Sequence, residues 1–263
     1  MARPRPSRLG DALAPVLALL LILAVWEGLT HALAVPTYLL PPPSAVLAAA
    51  VHDAHTLASG ALITARAALL GFALSAVIGA LAAVALASSR LLEKAFYPYT
   101  IFLQTVPIIA VAPLLVLWFG PGLRAVAVSA FIVSVFPVIA NTLAGLRSVD
   151  PGLHDLFRLY GAGRVATLLK LSLPSAVPSI VTGLRVASGL AVIGTIVGEF
   201  VAGFSEGGAG LGILVLSSYR QLRTDLLFAS VLAAAALGLA LFGAVNFVGA
   251  LLLRKWHPSE INR

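Results

Sequence analysis

Residues 150–174 read DPGLHDLFRLYGAGRVATLLKLSLP, a charged stretch in a chain that is otherwise strongly apolar. Asp150 followed by Pro151 predicts a helix start, because the Asp side chain can accept from the first free N–H groups and proline needs no partner there. Gly161 can take the left-handed conformation that closes a helix. The stretch therefore predicts two short amphipathic helices, the second covering about 162–171 and ended by Leu173 and Pro174. Such a pair is as typical of an element that docks on a partner as of one that lies on the lipid headgroups.

The composition places this stretch in a membrane protein. Of the 263 residues, 60% are hydrophobic and 10% are charged, and the mean hydropathy is +1.04. In soluble domains about a quarter of the residues are charged. Cysteine is absent, which excludes disulfides and thiolate chemistry. The net charge is +7, but the basic residues stand singly among apolar segments rather than on one soluble face. This distribution does not indicate nucleic-acid binding.

Six apolar segments are long enough to cross a bilayer, which takes about 20 helical residues. They cover approximately residues 12–33, 61–87, 97–119, 123–146, 177–201 and 226–253. The turn GPGLR predicts that the third and fourth segments form an antiparallel hairpin. We therefore expect an all-α integral membrane fold of six transmembrane helices. Residues 1–263 would form a single transmembrane domain, with the loop 148–176 between the fourth and fifth helices.

The distribution of basic residues predicts the orientation of these spans. If the N-terminus is cytoplasmic, twelve Lys and Arg residues lie inside and three lie outside. The inside set is Arg3, Arg5, Arg8, Arg90, Lys94, Arg147, Arg158, Arg164, Lys170, Arg254, Lys255 and Arg263, and the outside set is Arg124, Arg220 and Arg223. The positive-inside rule therefore predicts that both termini and the loop 148–176 are cytoplasmic. Arg66 and Arg185 fall at membrane boundaries.

The first span has an alternative interpretation as a cleaved signal peptide, with a basic start, an apolar run and the sequence ALA at 32–34. Trp26 and Glu27 separate the apolar run from that cleavage site by more than a signal peptide usually allows. We therefore expect the span to be retained.

The loop resembles the signature of the inner-membrane permease subunits of ABC importers, the binding-protein-dependent transport system permeases. That signature runs Glu-Ala-Ala, three residues, Gly, nine residues, Ile, any residue, Leu-Pro. Asp155 stands at the Glu position, Leu156 and Phe157 at the two alanines, and Gly161 at the glycine. Leu171, Ser172, Leu173 and Pro174 complete the pattern, so the spacing is intact while three residues differ.

The resemblance extends over most of the chain, to the branch that carries nitrate, taurine, alkanesulfonates, bicarbonate or pyrimidine precursors. It rests on LQTVPIIAVAPLLVLWFGPG, FPVIANTLAGLRSVDP, GLRVASGLAVIGTIVGEF and GGAGLG. It implies a type I permease in the bacterial inner membrane that pairs with a second permease copy, two cytoplasmic ATPases and an external solute-binding protein. ATP and Mg would be bound by the ATPases, not by this chain. The implied coupling residues are Asp155, Leu156, Phe157, Arg158, Gly161, Arg164, Leu173 and Pro174.

The sequence holds no motif for chemistry of its own. There is no GxxxxGK[ST] or HExxH, so we expect neither a nucleotide site nor a metal site. GFSEG at 203–207 fits GxSxG by spacing, but it follows an apolar span rather than a strand, so we expect no catalytic site. EGGAGLG at 206–212 has the wrong spacing for a nucleotide fingerprint and predicts a flexible outside turn or close helix packing.

Polar residues within the spans predict the translocation pathway, because an unpaired polar group in lipid is costly. Glu199 either reaches water at the outer interface or faces the pathway. Pro107, Pro113 and Pro137 should bend the third and fourth spans. The candidate pathway residues are Gln104, Thr105, Pro107, Asn141, Ser188, Thr195 and Glu199.

The predicted function is the permease subunit of an ATP-driven importer of a small solute, with an anion such as an aliphatic sulfonate, taurine or nitrate favoured. The alternative is a secondary transporter driven by an ion gradient, with Glu199 as the ion-responsive group. Such carriers commonly need several buried ionisable groups and repeated halves, and neither is visible in this sequence. A membrane-embedded enzyme would need a reactive constellation that the sequence does not offer.

Overall fold

The computed structural model describes residues 8–203 and 208–253, and within these ranges the backbone is predominantly helical. The helices are α1 (Arg8–Ala32), α2 (Pro43–His52), α3 (Ala54–Ser88), α4 (Arg90–Thr105), α5 (Ile108–Phe119), α6 (Leu123–Arg147), α7 (Pro151–Leu159), α8 (Arg164–Thr167), α9 (Leu173–Ala202), α10 (Leu211–Arg220) and α11 (Thr224–Leu253). Among the described residues, five helices are long and apolar enough to span a membrane, and α4 with α5 makes a sixth span if the pair is counted as one. The chain thus has the expected all-α membrane fold.

The centre of the bundle is formed by α3, α6 and α9, which approach each other closely through small residues. A Cβ on Gly79 of α3 would lie 2.9 Å from the Val138 Cβ of α6, and one on Gly194 of α9 would lie 2.9 Å from the Ala130 Cα. Ser129 donates to the carbonyl of Gly194 at 2.9 Å. These three helices therefore form a close-packed core, around which the other helices are arranged.

The third span is not the continuous helix that the sequence predicted. It is broken between Thr105 and Ile108, and α4 and α5 are bent by 99° relative to each other. Val106 and Pro107 both have extended backbone, with ψ of 124° and 107°. A proline disfavours the helical conformation of the residue before it, which explains the break at Val106. Pro113 and Pro137, by contrast, lie inside helices that continue past them.

The second loop helix also differs from its prediction. Instead of a helix from 162 to 171 ended by Leu-Pro, α8 leads into a π-helical turn, Leu168–Ser172, and this turn leads directly into α9. Pro174 lies at the first positions of α9, where its missing N–H is tolerated. In this π turn the backbone N–H of Leu173 donates to the carbonyl of Leu168, five residues back. Residues 164–202 consequently form one unbroken helical segment.

The two ends of the bundle are built differently. We call the end that carries residues 148–172 the loop end and the end that carries α2 and α10 the cap end. At the cap end Glu27 accepts from the backbone N–H of Ser44 at 3.0 Å, and Arg223 pairs with Asp53 at 2.6 Å. Ala67, Val126 and Ala202 cluster there, whereas Leu86 and Leu143 pack together toward the loop end. Short helices thus close one end, while the other presents a loop.

The described basic residues follow the predicted asymmetry between these ends. The loop end carries Arg90, Lys94, Arg147, Arg158, Arg164 and Lys170, and the cap end carries Arg124, Arg220 and Arg223. Arg3, Arg5, Arg254, Lys255, Arg263 and the side chain of Arg8, which also entered the prediction, lie outside the described residues.

Candidate coupling loop and translocation pathway

The first loop helix, α7, begins and ends as its sequence predicted. Asp150 accepts from the backbone N–H of Gly152 at 2.6 Å, and Pro151 occupies the first helical position. Gly161 follows the helix with a φ of +71°. That left-handed conformation is favourable only for glycine, so the chain can reverse here without steric strain.

Apolar side chains on α7 and at its end remain exposed in the described part of the chain. Leu156 is 45% exposed, Leu159 is 84% exposed and Tyr160 is 83% exposed. Phe157 is half-buried, and no residue of α7 is fully buried. An amphipathic helix that keeps its apolar side chains exposed is typical of a helix that docks into a groove on a partner.

A basic cavity of about 970 Å³ lies between the loop and the junction of α3 with α4. Its charged and ionisable lining residues are Arg90, Arg147, His154, Asp155, Arg158 and Arg164. Arg147 forms an ion pair with Glu93 of α4, which ties α4 to the end of α6. The cavity places Asp155, Arg158 and Arg164, three of the predicted coupling residues, around one open space. Leu173 and Pro174 are half-buried at the start of α9.

The predicted pathway residues fall into two groups. Gln104, Thr105 and Pro107 are exposed at the break between α4 and α5, and Asn141 is half-buried in α6. Ser188 and Thr195 are fully buried and donate to carbonyls of their own helix, Arg185 at 2.7 Å and Ala191 at 2.8 Å. The first group is accessible in the isolated chain, whereas Ser188 and Thr195 line no open surface in this conformation.

Glu199 belongs to a buried cluster at the cap end. It is 4% exposed, so it does not reach the surface as the interface interpretation requires. Its Oε2 accepts from the backbone N–H of Gly212 at 2.7 Å, and its Oε1 accepts from the Thr64 hydroxyl at 2.8 Å. Thr64 in turn accepts from the backbone N–H of Leu211 at 2.9 Å. The two side chains therefore bind the free N–H groups at the start of α10.

Sequence reasoning missed Thr64, whereas close packing was one of the two roles it predicted for the glycines that follow Glu199. Thr64 lies 135 residues from Glu199 in the chain, so no local pattern joins them. A Cβ on Gly210 would collide with the Glu199 carboxylate, and one on Gly212 would lie 2.7 Å from the carbonyl oxygen of Ile196. Both glycines thus serve close packing, one of the two roles predicted for GGAGLG. Residues 204–207 of that region lie outside the described residues.

Residues 75–258 match the family described as binding-protein-dependent transport system inner membrane component. The chain belongs to this family. The matched part of the permease contains the α4–α5 break, the loop 148–176 and Glu199, and it leaves out α1, α2 and Thr64. Its members share the type I ABC permease fold seen here.

Curated relatives of the permease agree with this assignment. The formylaminopyrimidine transport permease protein ThiX of Halalkalibacterium halodurans is 34% identical over 95% of this chain and 98% of its own length. The riboflavin transport system permease protein RibX of Chloroflexus aurantiacus is 33% identical over 94% and 91%. A relative from Escherichia coli K12, named for aliphatic sulfonates transport, is 30% identical over 90% and 89%. The chain is therefore a multi-pass membrane permease of the ABC transporter class.

Proposed function

We propose that this permease forms the translocation pathway of an ATP-driven importer and that the loop 148–176 is where a separate ATPase subunit docks. The observation that carries the proposal is α7, a helix with exposed apolar side chains at one end of the bundle. The exposed Asp155 and Arg158 lie beside these apolar side chains and would give the contact its polar partners. The family assignment supports an ATPase partner for such a surface.

The proposed assembly contains two copies of this chain, two cytoplasmic ATPases and an external solute-binding protein. ATP and Mg bind to the ATPases, and this chain catalyses no reaction itself. The 263 residues act as one transmembrane domain in the bacterial inner membrane, with both termini and the loop end in the cytoplasm. The excess of basic residues at the loop end supports this orientation.

Within this assembly the pathway runs past the α4–α5 break. Gln104 and Thr105 are exposed there, and the backbone of Val106 and Pro107 is extended rather than helical. Irregular backbone at membrane depth is tolerated where it lines a cavity or is buried in protein, which supports a pathway at this break. Asn141 adds a half-buried amide. Ser188, Thr195 and Glu199 would reach the pathway only if α9 moved relative to its neighbours.

The substrate we propose is a small anion such as an aliphatic sulfonate, taurine or nitrate. The relative named for aliphatic sulfonates transport supports an anion. The relatives named for formylaminopyrimidine and riboflavin show that similar permeases serve other compact organic solutes. Identification of the ligand of the co-purified binding protein would test the substrate class directly.

The ion-gradient alternative would need several buried ionisable groups, and among the described residues Glu199 is the only buried carboxylate. Its carboxylate is buried and already accepts hydrogen bonds from Gly212 and Thr64.

Replacement of Gly161 by valine tests the docking loop. Valine at a φ of +71° is strained, and no neighbouring atom lies within 4 Å, so the variant changes only the loop backbone. Such strain costs about 1–3 kcal/mol, so we expect binding of the ATPase to weaken about fivefold or more. Co-purification from mildly solubilised membranes, quantified by mass spectrometry, measures this loss.

Gly163→Val is the matched control. Gly163 lies two residues further along the same loop, also without a neighbour within 4 Å, but its φ is −71° and suits any residue. This variant should keep the ATPase and the uptake activity. Equal ATPase retention by the Gly161 and Gly163 variants, both inserted in the membrane, would contradict the docking role.

A further inference from the structure

Arg185 is an arginine within a membrane-spanning helix that has no counter-charge in the described part of the chain. Its Nε is fully buried and has no hydrogen-bond partner, and none of the salt bridges among the described residues includes it. A guanidinium without a partner is costly at membrane depth, and an arginine near the end of a spanning helix extends toward the phosphate groups of the lipid. The described part of the chain therefore leaves this arginine without an anion.

The position of Arg185 indicates the depth at which that anion would lie. A hydrocarbon core takes about 20 helical residues. Counted from Ala202, the cap end of α9, this length puts the loop-end boundary of the helix at about residue 182. The same count from Thr224 puts the loop-end boundary of α11 at about residue 244. Arg185 and Gly249 both lie within about two turns of these points. The Nη2 of Arg185 reaches the level of Gly249, beyond the boundary of α11, so the guanidinium extends toward the headgroups of the loop-end leaflet.

An apolar groove of about 260 Å³ opens beside this arginine. Its wall is contributed by three helices and includes Phe72, Ala76, Val181, Leu184, Val245 and Val248. Gly249 also lines the groove, and the Nη2 of Arg185 lies 3.6 Å from the point that a Cβ on Gly249 would occupy. A charged group therefore adjoins an open apolar groove.

We propose that Arg185 and this groove form a binding site for an anionic phospholipid of the loop-end leaflet. The guanidinium binds the headgroup phosphate, with which it can form paired N–H···O bonds. One acyl chain lies in the groove between α3, α9 and α11. The combination of an unpartnered cation with an adjoining apolar groove fits a phospholipid better than a soluble anion, which would leave the groove empty. The proposal does not depend on ATPase docking.

The test is native mass spectrometry of the full-length chain, taken from nanodiscs that contain equal amounts of phosphatidylglycerol and phosphatidylcholine. We expect the wild-type chain to retain about five times as much phosphatidylglycerol as phosphatidylcholine, since one basic residue is worth about 1 kcal/mol at an anionic lipid surface. Arg185→Gln should abolish this preference, and Arg185→Lys should keep part of it. Arg66→Gln, at the opposite membrane boundary, should leave it unchanged.

Ala244→Phe tests the groove separately from the charge. Ala244 is exposed and lines the groove, so a phenylalanine there can occupy the groove without disturbing the core. We expect less retained phosphatidylglycerol although Arg185 is intact. Unchanged retention in either Ala244→Phe or Arg185→Gln would overturn the proposal. Displacement of the lipid by excess inorganic phosphate would overturn it as well, because it would identify a site for a free anion.

Discussion

Glu199 shows how one buried carboxylate can organise the cap end. The four N–H groups at the start of a helix lack partners within that helix, and an anion close to them is stabilising. For α10 the partners come from α3 and α9, through Thr64 and Glu199. Glu27 of α1 has the same relation to α2, because it accepts from the backbone N–H of Ser44. Each short helix of the cap end is thus fixed at its first turn by a spanning helix.

Thr64→Val is predicted to destabilise the permease. Valine has nearly the same shape as threonine but cannot bridge Glu199 and the Leu211 N–H, which would leave buried polar groups unsatisfied. We expect the free energy of unfolding to fall by about 1–3 kcal/mol. Thr64→Ser keeps the hydroxyl and loses one methyl group, so it should cost about 1 kcal/mol. Thermal unfolding of the two detergent-solubilised variants makes the comparison, and equal midpoints would show that the hydroxyl contributes nothing.

At the residue scale, the start and end of α7 could be predicted from the sequence because they depend only on neighbouring residues. Asp150 and Pro151 start α7, and Gly161 ends it, because caps and left-handed glycines are set by the adjacent backbone. The role of Glu199 could not be predicted in the same way. Its partner Thr64 comes from a distant part of the chain and becomes a neighbour only when α3 and α9 pack together.

The broken third span shows what apolar composition cannot reveal about an element. Hydropathy predicts that a segment is buried in lipid, but it carries no information on the direction of the helix axis. Each of Pro107, Pro113 and Pro137 predicts a bend, yet only Pro107 ends a helix. In α6, contacts with α3 and α9 on both sides hold the helix together, and Asn141 donates to the carbonyl of Pro137 at 2.8 Å. Tertiary packing therefore keeps α6 helical past Pro137.

Single cysteines are predicted to distinguish the two groups of pathway residues. The chain has no native cysteine, so each variant carries one reactive thiol. Gln104→Cys and Thr105→Cys should react with a water-soluble maleimide in membranes, because their positions are exposed at the break. Ser188→Cys and Thr195→Cys should stay unlabelled, because these positions are buried.

Leu21→Cys provides the lipid control for this labelling. Leu21 is 65% exposed in the middle of α1, where bilayer rather than water should surround it. If the cysteine at position 104 reacts no faster than the one at position 21, the break faces lipid and the pathway proposal is wrong.

At the scale of the whole molecule, the two ends of the bundle suit different tasks. The cap end is tied together by the Arg223–Asp53 pair and by the Thr224 hydroxyl, which donates to the carbonyl of Tyr38 at 2.6 Å. The loop end presents α7 without a buried residue. A closed surface suits contact with a soluble binding protein, whereas a projecting helix suits insertion into an ATPase.

The orientation of the molecule can be tested with a matched pair of histidines. His52 ends α2 at the cap end and His154 lies on α7 at the loop end, and both are exposed. We expect His52→Cys to be labelled by a membrane-impermeant maleimide in intact cells. His154→Cys should be labelled only after the inner membrane is permeabilised. The reverse pattern would show that the excess of positive charge does not set the topology.

The helical continuity of residues 164–202 has a mechanical consequence. These 39 residues form a rod about 58 Å long, with the π turn as a joint near one end. A tilt of about 5° at the loop end displaces the far end of such a rod by about 5 Å. That far end carries Glu199, which holds the start of α10. If an ATPase docks at the loop end as we propose, this segment would act as a lever that carries a small push to the opposite end of the bundle.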